Sequence, residues 1–158
     1  MNLCARQRLA SIDIAAPVRL VYAIATDIEQ VARYEPGIEQ LNIVEQAIDG
    51  DRIVNVRFRI LGLRVTHRYR HVLRPSRKYA GVRTRGLLRG WFTMRFKTVG
   101  QSTRIIHAEG FRSALPGLAS LAALVYFSFL SRGEIRAKLR CLRDLVLSQQ
   151  AAQDNSNR

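Results

Sequence analysis

Three histidines, His67, His71 and His107, and one carboxylate, Glu109, are the residues of this 158-residue chain best suited to moving protons. Tyr69 stands between His67 and His71 at two-residue spacing, and His107 and Glu109 repeat that spacing. Residues two apart share one face of an extended strand. His67, Tyr69 and His71 therefore line one strand face, and His107 and Glu109 line another. A carboxylate in apolar surroundings needs a partner. His107, His67 or a bound ligand could supply it, and each member of such a pair shifts the other's pKa. The candidate catalytic groups are His67, Tyr69, His107 and Glu109. His107 or His67 would take a proton α to a carbonyl, and Tyr69 or Glu109 would donate one. A rim ion pair without chemistry fits the same residues. A metal held by His67, His71, His107 and Glu109 would need three strands to converge. No metal and no cofactor is expected.

A sheet must hold these side chains. Arg8 to Ile14 alternates as a first strand and stops at Ala15-Ala16-Pro17. Pro17 suits the first turn of a helix, where its missing N–H costs nothing, and Val18, Val21, Tyr22 and Ala25 continue at helical spacing. Asp27 followed by Gln30 signals a second short helix, ended by Pro36-Gly37. Strands are predicted over Leu41–Ala47, Ile53–Ile60, Leu63–Leu73, Tyr79–Gly86, Trp91–Thr98 and Thr103–Arg112. A long helix then runs from Pro116-Gly117 to about Gln149, with Leu118, Leu121, Val125, Ile135, Leu139, Leu142 and Val146 on one face. Residues 1–150 form one domain, and 151–158 read as a disordered polar tail. The order is strand, two short helices, six strands, long helix. It predicts an α+β protein whose antiparallel sheet is covered on one side by helices.

The turns set the register. A Leu61-Gly62 hairpin places Phe58 opposite Val65, Val56 opposite His67, Val54 opposite Tyr69 and Arg59 opposite Arg64. A four-residue turn over 99–102 places Phe96 opposite Ile105, Met94 opposite His107 and Phe92 opposite Glu109. The inner face then collects Val54, Val56, Phe58, Val65, Val82, Phe92, Met94, Phe96, Ile105 and Phe111, with the polar His67, Tyr69, His71, Thr84, His107 and Glu109. With Leu121 and Val125 of the long helix, these residues are the expected lining of a ligand site. The outer face collects Arg57, Arg59, Arg64, Arg68, Arg70, Arg74, Arg83, Arg85, Arg95, Lys97, Arg104 and Arg112.

Charge is the compositional anomaly: 26 Lys and Arg against 12 Asp and Glu, net +14. Residues 52–112 hold 16 of those bases and a single acid, Glu109. Such a field attracts an anionic surface, although 23 of the bases are Arg, which a GC-rich genome would also produce. Aromatics interleaved with the bases are few, Trp91 being the main one, so nucleic acid is not the expected partner; an acidic membrane surface is. Cys4 and Cys141 have no ligand spacing, which excludes zinc fingers, iron–sulfur sites and disulfide scaffolds. No secretory signal opens the chain, so the expected location is the cytoplasm, with peripheral membrane contact. Residues 113–131 carry no charge over a length close to the roughly 20 needed to span a bilayer. Pro116-Gly117 and the serines interrupt them, and they are expected to pack rather than to span. Leu124, Tyr126, Phe127 and Leu130 fall on other helix faces, suited to a cavity mouth, a homodimer or a lipid interface. Basic residues follow at Arg132, Arg136, Lys138, Arg140 and Arg143.

Residues 11–29, SIDIAAPVRLVYAIATDIE, resemble the opening of the START-like (SRPBCC) superfamily, closest to its polyketide cyclase/dehydrase and coenzyme Q-binding (lipid transport) branches. Those open with a strand, an I-x-A-P-x-x-V-(W/Y)-x-(L/I)-(A/L)-x-D pattern and a short aromatic-rich helix. Met94-Arg95-Phe96 through Thr103-Arg104-Ile105 resembles the family's W-x-F … G-T-x-V hairpin, with Met94 in the Trp position. The order of elements matches over residues 8–148. The resemblance implies a helix-grip fold, in which a curved seven-stranded sheet wraps a long C-terminal helix around an elongated hydrophobic cavity. It implies binding or transport of a hydrophobic small molecule such as a lipid, a quinone or a polyketide-like aromatic, or else a cyclase, aromatase or dehydratase. Where the family usually carries Tyr-Pro or Trp-Pro, this chain has Val31-Ala32-Arg33-Tyr34. The family has no universal catalytic residue, so none is carried over.

Overall fold

Alternating apolar and polar residues extend as β1 (Arg6–Ile14) until Pro17 redirects the chain into α1 (Val18–Thr26). The structure is a computed structural model that describes residues 6–35, 37–60, 63–84, 88–113 and 131–156. Asp27 ends α1 and starts α2 (Ile28–Tyr34), its carboxylate accepting from the Glu29 N–H at 2.9 Å. This is a short-range N-cap. The Gln30 side chain is instead engaged with Arg33 and Gln149. Six strands follow: β2 (Ile38–Gln46), β3 (Arg52–Ile60), β4 (Leu63–Arg74), β5 (Lys78–Arg83), β6 (Leu88–Val99) and β7 (Ser102–Ser113). The closing helix, α3, spans Ser131–Ser156.

All seven strands form one antiparallel sheet in the order β1-β7-β6-β5-β4-β3-β2. It is curved and open, the helix-grip arrangement. The helix α3 packs on β1, α1 and α2. Ile135, Leu139, Leu142 and Val146 of α3 meet Met94, Phe96 and Ile105 of the sheet and Val21, Ile24, Val31 and Tyr34 of the short helices in one buried cluster. Each large aliphatic side chain so buried contributes roughly 1.5–3 kcal/mol. The Tyr34 hydroxyl donates to the Ala25 carbonyl at 2.7 Å, tying α2 to α1. The open edge at β2 is irregular, with register shifts between Ile38 and Gln40 and between Ile43 and Glu45.

Both predicted registers hold. Phe58 pairs with Val65, Val56 with His67 and Val54 with Tyr69, and Phe96 pairs with Ile105, Met94 with His107 and Phe92 with Glu109. On β5 the expectation fails by one residue. Tyr79, the bulkiest apolar residue there, takes the buried position, so 79, 81 and 83 point inward. Val82 is therefore not a lining residue: it pairs with Arg70 and Trp91 on the outer side and is 50% exposed. Thr84 is likewise exposed. Arg83 pairs with the inward Tyr69 and joins the inner face. Gly81 makes room for a neighbouring ring: a Cβ there would lie 2.2 Å from Phe92 Cε1. A second expectation also fails. The helix continues seven residues past Gln149 to Ser156, so most of the expected disordered tail is exposed helix. Ala151 and Ala152 favour helix without needing any core contact.

Leu118, Leu121, Leu124, Val125, Tyr126, Phe127 and Leu130, the Leu61-Gly62 turn, Cys4, Arg85 and the Phe111 and Arg112 side chains lie outside the described residues. Among the described residues, no helix is long and apolar enough to cross a membrane.

Candidate functional site

The ladder lines up Arg8, Glu109, Phe92, Gly81, His71 and Arg52 in one inward-facing row across six strands. The next row is Ala10, His107, Met94, Tyr79 and Leu73. On the other side of the first row, Tyr69 lies between Val54 and Arg83, and His67 lies opposite Val56. These rows make a nearly continuous ring surface. Phe58 is 5.8 Å from His67 and 6.3 Å from Tyr69, centroid to centroid. Tyr69 is 6.3 Å from His71, and His71 is 5.7 Å from Phe92 and 5.2 Å from Tyr79. Phe92 in turn stacks on His107 at 6.3 Å. The Tyr69 side chain reaches over β5, since a Cβ on Gly90 would lie 3.8 Å from its hydroxyl.

Two polar pairs sit within this surface. His107 Nε2 lies 3.2 Å from Glu109 Oε2, and the Tyr79 hydroxyl lies 3.1 Å from His71 Nδ1. A third pair comes from the helices: Lys138 Nζ of α3 is 2.7 Å from Glu35 Oε2 at the end of α2. That ammonium is also 5.4 Å from the Phe92 ring centroid. Lys138 is only 4% exposed. Sequence reasoning placed it in a basic surface run. The signal for burial was its position three residues after Ile135 and four before Leu142, on the apolar stripe of α3.

Burial fixes the protonation states. It drives the His71 pKa down to about 3, helped by the Arg52 and Lys138 cations, so this ring is neutral. Burial also lowers His107, reinforced by Lys138 and opposed by Glu109. Burial alone would raise Glu109. The His107 hydrogen bond, Lys138 and Arg8 outweigh it, and the net direction is down. The pair is therefore a carboxylate accepting from a neutral imidazole, which leaves His107 Nδ1 as a lone pair. That atom is buried and has no hydrogen-bond partner among the described residues. Burial raises Tyr69 to about 12 despite Arg83, so its phenol stays protonated. His67 is lowered by burial and by Arg83.

Of the four candidate catalytic residues, the structure joins only His107 and Glu109 by a hydrogen bond. His67 and Tyr69 lie on β4, separated from β7 by the two strands β5 and β6, and group with Phe58 and Arg83. Val54 and Val56 face inward and are buried, while Phe58, Val65, His67, Tyr69 and Phe92 face inward and remain half-buried. Met94, Phe96 and Ile105 face inward within the sealed core. Tyr79, Gly81, Arg83, Lys138 and the inward Arg8 and Arg52 are among the inner residues that the sequence did not reveal. A cleft of about 600 Å³ lies elsewhere, beside the β6–β7 turn, lined by Ala15 to Arg19, Thr98, Gly100 to Ser102 and Gln150. None of the candidate site residues lines it. Among the described residues, no three His, Cys, Asp or Glu side chains are placed to hold a metal ion.

The outer arginines are less bare than the count of acids suggested. Arg59 and Arg64 share Glu39, Arg70 and Arg74 share Asp51, and Arg104 grips Asp13 through two 2.7 Å bonds. Those acids lie outside residues 52–112 and are brought in by strands β1 and β2 and the β2–β3 turn.

Known proteins show the same architecture. A Streptomyces aromatase/cyclase named Zhui superposes with a TM-score of 0.79 at 18% identity, over 90% of this chain and 94% of its own. A Thermus thermophilus protein superposes at 0.76 and 20% identity, over 91% and 99%. A START superfamily protein from Mycobacterium smegmatis superposes at 0.71 and 14% identity, over 90% and 98%. No curated protein matches the chain in sequence. The family model for polyketide cyclase/dehydrase and lipid transport matches residues 9–146. With that match over most of its length, the chain belongs to the polyketide cyclase/dehydrase and lipid transport family.

Proposed function

We propose that the protein binds and carries a hydrophobic small molecule, of the lipid, quinone or polyketide-like aromatic kind, against the aromatic part of its inner face. One observation carries this reading. Phe58, Val65, His67, Tyr69 and Phe92 point into the grip yet stay half-exposed, whereas Ile14, Met94 and Ile105 on the same face are sealed. Apolar surface left open on the inside of a fold is what an apolar ligand covers, with a few polar groups fixing its orientation. Solvent extraction of the purified protein should release an apolar molecule, and the emptied protein should take up neutral Nile red at one saturable site. Phe58→Arg should abolish that uptake while leaving the thermal transition in place. A protein that releases nothing and takes up no dye would overturn the reading.

A second reading is acid–base chemistry of the cyclase or aromatase type, favoured by the His107–Glu109 pair. In it, a proton α to a carbonyl passes to His107 Nδ1 while Glu109 holds the ring through Nε2. Unchanged turnover of a β-keto thioester by His107→Ala would exclude it.

The convex face supports delivery at an acidic membrane. Arg57, Arg95 and Lys97 make no ion pair with any described residue. Vesicles containing acidic phospholipid should sediment the protein in a salt-sensitive way. Equal binding to neutral vesicles would dismiss the idea.

A further inference from the structure

Arg83 is an inward cation with no ion pair among the described residues. Lys138 is held by Glu35, while Arg52 donates through one terminal nitrogen to the Thr26 carbonyl, its own Nε also without a partner among the described residues. Glu109, the other inner carboxylate, is engaged with His107 and lies opposite Arg8 in the ladder. Arg83 has no ion pair with any described residue, and its Nε is buried with no hydrogen-bond partner among them. Its ladder partner is Tyr69, whose protonated phenol carries no charge to offset the guanidinium and can add a donor for an anion. His67, neutral and close enough to feel the Arg83 charge, completes the polar group. Phe58 and Val56 adjoin it as apolar wall.

We propose that the ligand of the inner face is an amphiphile with a carboxylate head, and that Arg83 is the residue that holds that head. This rests on the hydrophobic-ligand reading above and adds the chemistry of the polar end. A guanidinium offers a planar fork that matches a carboxylate with two parallel bonds. A carboxylate matches the single charge of the Arg83 guanidinium; a phosphate monoester brings nearly two. The apolar chain then lies along Phe58, Val56 and the Phe92 edge, displacing water from the half-exposed rings.

The test compares cis-parinaric acid with its methyl ester, which keep one chain and differ only in the head. The wild-type protein should bind the acid about tenfold or more tightly than the ester, the effect of one charge-assisted contact. Arg83→Met should bring the acid down to the ester's affinity and leave the ester unchanged. Arg83→Lys should keep part of the preference. Arg77→Met, in the β4–β5 turn, should keep all of it, which separates Arg83 from the overall positive charge. Equal binding of acid and ester by the wild type overturns the proposal and leaves the hydrophobic-ligand reading standing. A preference that survives Arg83→Met in a protein with a normal thermal transition also overturns it. Binding of neither probe overturns both.

Discussion

On the convex face, Arg59 and Arg64 share Glu39, and Arg70 and Arg74 share Asp51. On the concave side, Arg52 of β3 reaches the Thr26 carbonyl, Lys138 of α3 is locked to Glu35 of α2, and Arg83 of β5 has no ion pair among the described residues. The outer arginines are more than half exposed, although Asp51 itself is buried; an ion pair with an exposed partner typically contributes 0–1 kcal/mol. Inside, Lys138 is buried and Arg52 and Arg83 are half-buried, so a missing partner costs more there. One residue type therefore means solubility and surface field outside, and a demand for a specific counter-group inside. The difference is set by strand parity and not by residue identity.

Breaking the inner pair should have the largest effect. Glu35→Gln leaves the buried Lys138 ammonium without its carboxylate and should cost about 3 kcal/mol in denaturant unfolding. Lys138→Met should cost less, because Glu35 can turn to water, and the double variant should recover most of the loss. Gly81→Ala forces the Phe92 ring aside and should cost roughly 1–3 kcal/mol. Adding Phe92→Leu should restore part of that stability. A Gly81→Ala protein of wild-type stability would show that the ring does not sit over the glycine.

The third effect depends on pH. His71 is neutral when folded, with a pKa near 3, against 6.5 when unfolded. Above pH 6.5 neither state is charged and the residue contributes no pH dependence. Below that, only the unfolded state binds the proton, so stability falls as pH drops towards 3, by about 1.4 kcal/mol per unit. His67 and His107, also lowered, add to the same trend. Unfolding midpoints taken from pH 7.5 to 5 should show the slope, and His71→Gln should make it shallower. The smallest effect belongs outside. Arg104→Gln removes a well-formed but exposed pair with Asp13 and should leave the unfolding midpoint unmoved.

The strand order and two registers were legible because short turns and matched apolar pairs fix them: Phe58 with Val65, and Phe96 with Ile105. β5 was not. Its six residues place Tyr79, Ala80, Gly81 and Val82 in succession, so hydropathy does not alternate and parity is undetermined until Phe92 is seen to need the space above Gly81. The inward Arg83 was lost with that parity. Lys138 was hidden for a different reason: a cation on an apolar stripe reads as surface until the carboxylate that holds it, Glu35, arrives from another helix. The His107–Glu109 pair was legible because both partners lie on one strand two residues apart.

The two slips in the pairing of β2 with β3 bear on how this molecule meets its own kind in a crowded solution. A straight outermost strand would offer a row of unpaired amides and carbonyls on which a neighbour's strand could zip. Here the offset at Ile38–Gln40 and again at Ile43–Glu45 throws that row out of step twice within nine residues, and Glu45 adds like charge against a second copy. Ile43 and Val44 can thus stay exposed at this border without seeding fibres.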